Sequence, residues 1–316
     1  MQSQNHTSVI LDCDPGHDDA ISIILAASKI SPLEIEAITT VAGNVDVERN
    51  TLNALRVCDI AGLTDVPVAQ GSSKPLLKKM EVAEEIHGET GLEGPALPDE
   101  PSKQAVDQHA VDMIIDKVMA SDGDITLVPT GPLTNIALAM IREPAIIPKI
   151  NKIVLMGGGT FGNWTPAAEF NIYVDAEAAK IVFESGVPIT MFGLDVTHQA
   201  LATQETVNRL SAIDHPVSHF VVDLLKFFIR TNQDVFGMDG GPIHDACTVA
   251  YLIDPSIFDV HYVHVAIETR GEFTYGMTCV DTRGVTNREP NVNVAYQLDH
   301  HRFWNLFEKA LKSYSG

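Results

Sequence analysis

SVILDCDPGHDDAISIILAASK, residues 8–29, is the stretch that decides the fold of this 316-residue chain. Residues 8–12 form a short apolar run, which is typical of a buried strand, and residues 18–29 carry apolar side chains at helical spacing. A Pro-Gly pair and several carboxylates lie in the loop between them. A strand that leads directly into a helix is the first half of a βαβ unit and predicts an α/β fold.

The alternation of strand and helix continues through the first two thirds of the chain. Further strands are predicted at residues 33–42, 66–69, 125–129, 152–156 and 187–193, and further helices at residues 45–61, 105–120, 133–141 and 175–185. Residues 71–104 contain many Pro, Gly and charged residues and indicate a long irregular excursion. Strands separated by single helices predict an open, mostly parallel sheet with helices on both faces.

The C-terminal part has a different pattern. Strands are predicted at residues 258–269, 276–281 and 291–298 with no helix between them, which indicates an antiparallel extension of the sheet. An amphipathic helix over residues 302–314 closes the chain. Because no internal repeat or linker interrupts the pattern, we predict one domain over residues 1–316.

The charge balance excludes several classes of partner. The chain has 21 Lys and Arg residues against 42 Asp and Glu residues, a formal net charge of −21. Nucleic acids and acidic membranes bind through clustered basic side chains, so neither is expected as a partner. No apolar stretch approaches the ~20 residues that span a bilayer, and residues 1–7 lack the pattern of a signal peptide.

The cysteines point to a reducing compartment. Four of them are scattered along the chain with no C-x-x-C pair, namely Cys13, Cys58, Cys247 and Cys279. We expect reduced core residues and a cytoplasmic protein.

Polar residues follow most of the predicted parallel strands. Ligands of such sheets bind beyond the carboxyl ends of the strands, so side chains from distant parts of the sequence are expected to meet at one rim. The segments in question are residues 12–19, 43–44, 130–132, 157–171 and 195–198.

The first of these segments carries four carboxylates within eight residues: Asp12, Asp14, Asp18 and Asp19. Such a group cannot be buried in ionised form without compensation, and a cation is the simplest source of it. Carboxylate and carbonyl oxygens favour Ca²⁺ or Mg²⁺. The alternative is a solvated loop in which Asp18 and Asp19 stabilise the start of the helix.

A second candidate site is the sequence GGPIHDA, residues 240–246. It places His244 beside Asp245 at a helix start, so that Asp245 is a candidate remote metal ligand and His244 a candidate acid. The alternative is a capped helix with a hydrogen-bonded histidine.

Asp12-Cys13-Asp14 after a strand also resembles the haloacid-dehalogenase phosphatases. That pattern requires Thr or Val where this chain has Gly16, and the nearby basic residues that hold a phosphate are missing. Both departures argue against a phosphatase.

Six longer motifs resemble the inosine-uridine preferring nucleoside hydrolases. They are DCDPGHDDA (12–20), VAGN (41–44), HGETGL (87–92), TGPLTNIA (130–137), GNWTPAAEFN (162–171) and PIHDA (242–246). The similarity extends in the same order over essentially the whole chain and is most marked toward the bacterial pyrimidine-preferring enzymes. It implies a Rossmann-like fold and Ca²⁺-dependent hydrolysis of ribonucleosides to ribose and free base.

The resemblance also implies roles for individual residues. Asp14, Asp19, Asp245 and the carbonyl of Thr130 would hold one Ca²⁺, and Asp14 would accept a proton from the attacking water. His244 would assist departure of the base, with His87 lying over it. The remaining residues would contact the substrate: Asp18, Asn44, Asn163, Glu169, Phe170, Asn171, Asn232 and Phe236.

Some implications concern the context of the reaction. The family implies nucleoside catabolism or salvage, with uridine and cytidine favoured and inosine possible, and a homo-oligomer, either a dimer or a tetramer. Pyrimidine-preferring relatives present a Gln and a Tyr where this chain has Asn232 and Phe236, and Gln233 could replace the Gln by register. Trp164 is interpreted as a packing residue.

Two other functions remain open from the sequence. The same fold could serve as a non-catalytic, Ca²⁺-dependent nucleoside or sugar binder. A phosphorylase would need a basic phosphate pocket, which the rim motifs do not provide.

Overall fold

Strands and helices alternate along residues 6–315, the part of the chain that the computed structural model describes. The strands are β1 Thr7–Cys13, β2 Leu33–Thr40, β3 Val68–Gln70, β4 Thr126–Pro129, β5 Lys152–Met156, β6 Ile189–Phe192, β7 Leu201–Ala202, β8 Gly241–Pro242, β9 Phe258–Ile267, β10 Thr278–Asp281 and β11 Val292–Leu298. The α-helices are α1 His17–Ala27, α2 Val47–Ala61, α3 Glu84–His87, α4 Ala110–Ala120, α5 Thr134–Arg142, α6 Phe170–Val174, α7 Ala176–Phe183, α8 Leu194–Thr197, α9 Gln204–Leu210, α10 Pro216–Phe236, α11 Ala246–Ile253 and α12 His300–Ser313. Short 3-10 helices cover Pro144–Lys149 and Pro255–Ile257.

Nine strands form one sheet in the order β10-β9-β11-β6-β5-β4-β1-β2-β3. Neighbouring strands from β11 to β3 are parallel, whereas β9 pairs antiparallel with both β10 and β11. The predicted open, mostly parallel sheet with an antiparallel C-terminal part is therefore confirmed. β11 belongs to the parallel part, since it lies parallel to β6.

Helices cover both faces of the sheet, as the apolar strand sequences require. In β1, Val9 and Leu11 pack into one apolar cluster together with residues of α1, α10, α11 and α12. Ile10 points to the other face and packs into a second cluster with residues of α4, α5 and α7. The alternation follows from the two-residue period of a strand.

The carboxyl ends of the central parallel strands meet at one edge of the sheet. The pairing of β1 with β2 and β4 places the loops after Cys13, Thr40 and Pro129 side by side. The loops after Met156 and Phe192 continue the same edge through β5 and β6. These loops carry the polar segments noted in the sequence.

Helix α4 begins later than predicted, at Ala110 rather than at residue 105. The ring of His109 accepts a hydrogen bond from the backbone N–H of Val111 and so caps the helix. The excursion before it is irregular, as predicted, apart from α3.

The 21-residue helix α10 was not assigned from the sequence. It begins with Pro216 at its first position and ends at Gly237, whose φ of 67° lies in the left-handed region that favours glycine. Apolar residues at three- and four-residue spacing bury one face of the helix. Its last turns reach the edge of the sheet that carries the polar loops.

The cysteines and the membrane prediction can be compared with the structure directly. Cys13, Cys58 and Cys247 are buried, but Cys279 on the outer strand β10 is exposed, so the prediction of four core cysteines is wrong for that residue. Among the described residues, no helix has the length and apolar character needed to cross a membrane. The prediction about residues 1–7 falls mainly on residues 1–5, which lie outside the described part.

Candidate active site

A cavity of about 520 Å³ opens at the carboxyl edge of the sheet. All but one of the predicted site residues line it: Asp14, Asp18, Asn44, His87, Thr130, Asn163, Glu169, Phe170, Asn171, Asn232, Phe236, His244 and Asp245. The exception, Asp19, is fully buried behind the lining. Within the described residues that form this lining, acidic side chains are present and Lys and Arg are absent.

Three carboxylates form the acidic floor of the cavity. Asp18 and Asp19 lie in the first turn of helix α1, and Asp245 directly precedes α11. One oxygen of each lies within 4.8 Å of the others. Burial, followed by the charge of neighbouring Asp19, raises the pKa of Asp18 to about 7. Burial also raises the pKa of Asp245 well above its usual range, with further contributions from Asp18, Asp19 and Asp14. Ionised together, these groups require a compensating positive charge.

Asp14 stands beside this group in a tightly fitted position. The backbone N–H of Asn44 donates to Asp14 Oδ2 at 2.7 Å. A Cβ atom on Gly43 would lie 2.0 Å from Asp14 Oδ2, and one on Gly131 would lie 2.5 Å from Oδ1. Both positions therefore require glycine because of the close approach of the carboxylate. The loops after β2 and β4 thus hold Asp14 from two sides.

Two contacts surround the predicted ligand set. An oxygen of Asp18, which the sequence assigned to the sugar, lies close to oxygens of the predicted ligands Asp19 and Asp245. The carbonyl of Thr130 accepts a hydrogen bond from Asn171 Nδ2 at 2.8 Å, while its hydroxyl donates to Asp19 Oδ1 at 2.7 Å. Sequence position alone does not show how the first turn of α1 faces Asp245. The assignments of Asp14 to the ion and of Asp18 to the sugar stay predictions.

The donor set fits a divalent cation. Asp14, Asp18, Asp19 and Asp245 are buried and offer only hard oxygen ligands. The pKa of each is raised, with burial as the largest cause. Since the cavity lining contains no Lys or Arg, a bound ion is the simplest source of the missing positive charge.

The opposite wall is built around the start of α6. Glu169 caps this helix by accepting hydrogen bonds from the backbone N–H groups of Asn171 and Ile172, and it also accepts one from Gly158. Burial raises the pKa of Glu169 to about 7, although these three donors oppose the shift. Asn163 Oδ1 accepts from the N–H of Phe170 at 3.0 Å. These bonds fix the orientation of polar side chains that face the cavity.

Helix α10 supplies the outer apolar wall. Phe228, Asn232 and Phe236 follow one another at four-residue intervals and all line the cavity. Asn232 Nδ2 donates to the carbonyl of Phe228 at 2.9 Å, and Oδ1 takes no part in that bond. Gln233 is exposed and lies outside the lining, so the alternative register in which it replaced the Gln of relatives is wrong.

Trp164 lies at the rim rather than in the core. Its side chain is 39% exposed, lines the cavity and meets Phe170 edge to face at 4.9 Å between ring centroids. Its Nε1 donates to Glu81 Oε2 at 3.0 Å. The interpretation as a packing residue is therefore incomplete, since the partly exposed indole also lines the cavity.

His87 is buried at the end of the short helix α3. Its ring stacks on Phe228, and its Nδ1 lies 3.2 Å from Nδ1 of His17. Burial and the adjacent His17 and His244 hold the pKa of His87 well below its usual range. Sequence reasoning missed Phe228 and His17; the apolar spacing of α10 was the available signal for the first.

His244 joins the apolar wall to the acidic floor. It follows β8, lines the cavity and directly precedes the floor residue Asp245 in the chain. A hydrogen bond of 2.7 Å joins its Nδ1 to the hydroxyl of Thr197. Burial lowers the pKa of His244 to about 3, so the imidazole is neutral at any pH well above that value.

Comparison with known proteins identifies the family. Residues 9–305 match the model of the inosine-uridine preferring nucleoside hydrolases. The chain belongs to this family. The resemblance drawn from the six motifs is thereby confirmed, and the chain is a member of a family of hydrolases.

Nucleoside hydrolases from diverse sources are similar to it. A pyrimidine-specific ribonucleoside hydrolase of Shewanella woodyi is 50% identical over 97% of this chain and 98% of its own length. A purine-preferring ribonucleoside hydrolase from Gardnerella vaginalis has a TM-score of 0.89 at 35% identity, over 96% of this chain and 98% of that one. A plant nucleoside hydrolase has a TM-score of 0.89 at 32% identity, over 97% and 99% of the two chains.

Proposed function

We propose that this nucleoside hydrolase cleaves the N-glycosidic bond of ribonucleosides and releases ribose and the free base. The observation that carries the proposal is the placement of three buried carboxylates and a neutral histidine in the lining of one cavity, with a fourth carboxylate directly behind it. The carboxylates are Asp14, Asp18, Asp19 and Asp245, and the histidine is His244. The names of the relatives support the same reaction class.

The acidic floor suits the charge that develops in this reaction. Cleavage of the C–N bond of a ribonucleoside builds positive charge on the sugar, as in other glycosidic cleavages. Fixed negative groups such as Asp18 and Glu169 stabilise that charge where water is excluded. Asp14, held by Asn44 and by the close approach of Gly43, is placed to accept a proton from an attacking water.

We further propose Ca²⁺ as the ion that balances the floor. Asp14, Asp19, Asp245 and the carbonyl of Thr130 would hold it, because their hard oxygens and the excess negative charge of the floor match this ion. When bound, such an ion lowers the pKa of a neighbouring water and orients the ligand. The carbonyl of Thr130 can join the set while it accepts the hydrogen bond from Asn171, because a carbonyl oxygen has two lone pairs.

The base faces the apolar wall in this proposal. Neutral His244 can donate an N–H to the departing base, and Phe228 and Phe236 provide a surface on which an aromatic base can stack. Pyrimidine nucleosides such as uridine and cytidine are proposed as favoured substrates, in line with the name of the Shewanella relative, with inosine also accepted. Roles in nucleoside catabolism or salvage in the cytoplasm, the single domain and the homo-oligomer stay predictions.

The sugar provides a test of the proposed function. We expect the unaltered enzyme to cleave uridine and to cleave 2′-deoxyuridine with a kcat/KM lower by about 10²–10³. The missing 2′-hydroxyl would leave buried polar groups such as Asp18 and Asn171 without a partner. A deoxyribosyl cation forms more easily than a ribosyl cation, and this offsets part of the loss in kcat/KM. The measurement is release of reducing sugar and free base from both substrates under one condition.

Asp18→Ala provides the matched comparison. It should lower uridine turnover sharply. It should also reduce the difference in kcat/KM between uridine and deoxyuridine, because the carboxylate that distinguishes the two sugars is gone. Equal cleavage of both substrates by the unaltered enzyme would show that the proposed ribose contacts are wrong.

A further inference from the structure

Thr197 contacts His244 from outside the cavity lining. It is fully buried at the end of α8, the short helix that follows β6. Its hydroxyl lies 2.7 Å from His244 Nδ1, across 47 residues of sequence. Within residues 6–315, no other side-chain or backbone hydrogen bond engages the ring of His244. The hydroxyl of Thr197 therefore engages Nδ1, and Nε2 is the ring nitrogen that remains for a ligand in the cavity.

The backbones of the two residues are held by the same small ribbon. Strands β7 and β8 pair antiparallel through Leu201 with Pro242 and Ala202 with Gly241. The N–H of Ile243 donates to the carbonyl of Ala200 at 3.0 Å. Because both chain segments are tied within a few residues of the contact, the distance between the hydroxyl and the imidazole is set by the fold rather than by flexible side chains.

The position of the ring is otherwise weakly determined. An imidazole can rotate about its χ2 torsion, which is broad for ring side chains. The neighbouring ring of His198 lies 5.6 Å from that of His244 between centroids at an angle of 56°, which limits space without selecting a ring nitrogen. A hydrogen bond to Nδ1 does select one and so sets the orientation of the ring. When the hydroxyl of Thr197 donates to Nδ1, the proton of the neutral imidazole lies on Nε2. Nε2 is then the nitrogen left for the substrate.

We infer that Thr197 is a positioning residue that orients the imidazole of His244 so that Nε2 meets the departing base. This inference rests on the proposed function and adds a residue to it. Thr197 does not touch the substrate and acts through the histidine. Its loss should therefore affect natural nucleosides, whose bases need a hydrogen-bond donor as they leave. It should spare p-nitrophenyl riboside, because p-nitrophenolate departs without a proton.

The test compares Thr197→Val, which keeps the shape and removes the hydroxyl, with Thr197→Ser, which keeps the hydroxyl. Thr197→Val should lower kcat for uridine about tenfold, the order of one buried hydrogen bond, with KM changed less than about threefold. Its activity on p-nitrophenyl riboside should change less than about threefold. Thr197→Ser should recover most of the uridine activity.

A double-mutant cycle with His244→Ala completes the test. The single His244→Ala change should reduce uridine turnover by about 10²–10⁴ and leave p-nitrophenyl riboside nearly unaffected. Adding Thr197→Val to it should cause no further loss on uridine, because the hydroxyl acts only through the ring. Normal uridine turnover in Thr197→Val, an additive loss in the double variant, or equal losses on both substrates would overturn the inference. If the unaltered enzyme releases no base from uridine or inosine, the proposed function itself fails.

Discussion

Replacing Asp14 by Ala is expected to lower kcat for uridine by at least ~10³, since it removes a general base worth ~10²–10⁴ and damages the activation of water. The geometry gives the reason. Asp14 Oδ2 is fixed by the N–H of Asn44, and the carboxylate is enclosed by Gly43 and Gly131. In the Asp14→Ala variant, a water molecule in the vacated space would not replace a carboxylate that is fixed in this way as a base. Steady-state kinetics with uridine and with p-nitrophenyl riboside should show losses of similar size, because both substrates need the attacking water.

A stability measurement separates this loss from misfolding. Burial and the charge of Asp19 raise the pKa of Asp14 well above its usual range, so the ionised carboxylate opposes folding when no cation is present. Asp14→Asn should therefore leave the thermal unfolding temperature of chelator-treated protein unchanged or raise it. Asp214→Ala, at a fully exposed side chain, is the control for both assays. Retention of more than a tenth of kcat by Asp14→Ala would contradict its assigned role.

Removal of divalent metal is expected to lower kcat by about as much as the Asp14→Ala change does. After exhaustive chelation we expect kcat for uridine to fall by at least ~10³ and to return when Ca²⁺ is added back. The same addition should raise the unfolding temperature, because an ion that binds only the folded state stabilises it by about 2.7 kcal/mol at a hundredfold excess over Kd. Both effects are expected because the clustered carboxylates of Asp18, Asp19 and Asp245 need a cation to balance their charge.

Stoichiometry and ligand variants sharpen the metal prediction. Calorimetric titration of chelated protein should give one Ca²⁺ per chain, and Asp19→Asn should weaken that binding strongly while Asp214→Asn leaves it unchanged. Full activity in protein that elemental analysis shows to be free of divalent metal would refute the prediction.

Much of the site follows from the sequence because the topology is simple. Parallel strands place their carboxyl ends on one edge, so Asp14 after β1, Asn44 after β2 and Thr130 after β4 are expected to converge. The loops are also recognisable by their chemically distinctive residue types, above all the clustered carboxylates after β1. The motif resemblance supplies roles that strand positions alone do not give.

Other features depend on tertiary contacts that a sequence pattern does not show. Asp18 and Asp245 are far apart in the chain. Their approach depends on how α1 packs against α11. The contact between Thr197, at the end of α8, and His244, after β8, joins residues 47 positions apart in the sequence. Helix α10, by contrast, carries readable signals, namely Pro216 at its start, Gly237 at its end and apolar spacing between them.

The fate of the sugar tests the central claim most directly. Purified enzyme should be incubated with uridine, with and without inorganic phosphate, and uracil, ribose and ribose 1-phosphate should be quantified together. We predict that uracil and free ribose appear in equal amounts and at a rate that phosphate does not change, because the lining of the cavity offers no Lys or Arg to hold that anion. Binding of uridine without release of uracil, or ribose 1-phosphate formed only when phosphate is present, would contradict the assignment as a ribonucleoside hydrolase.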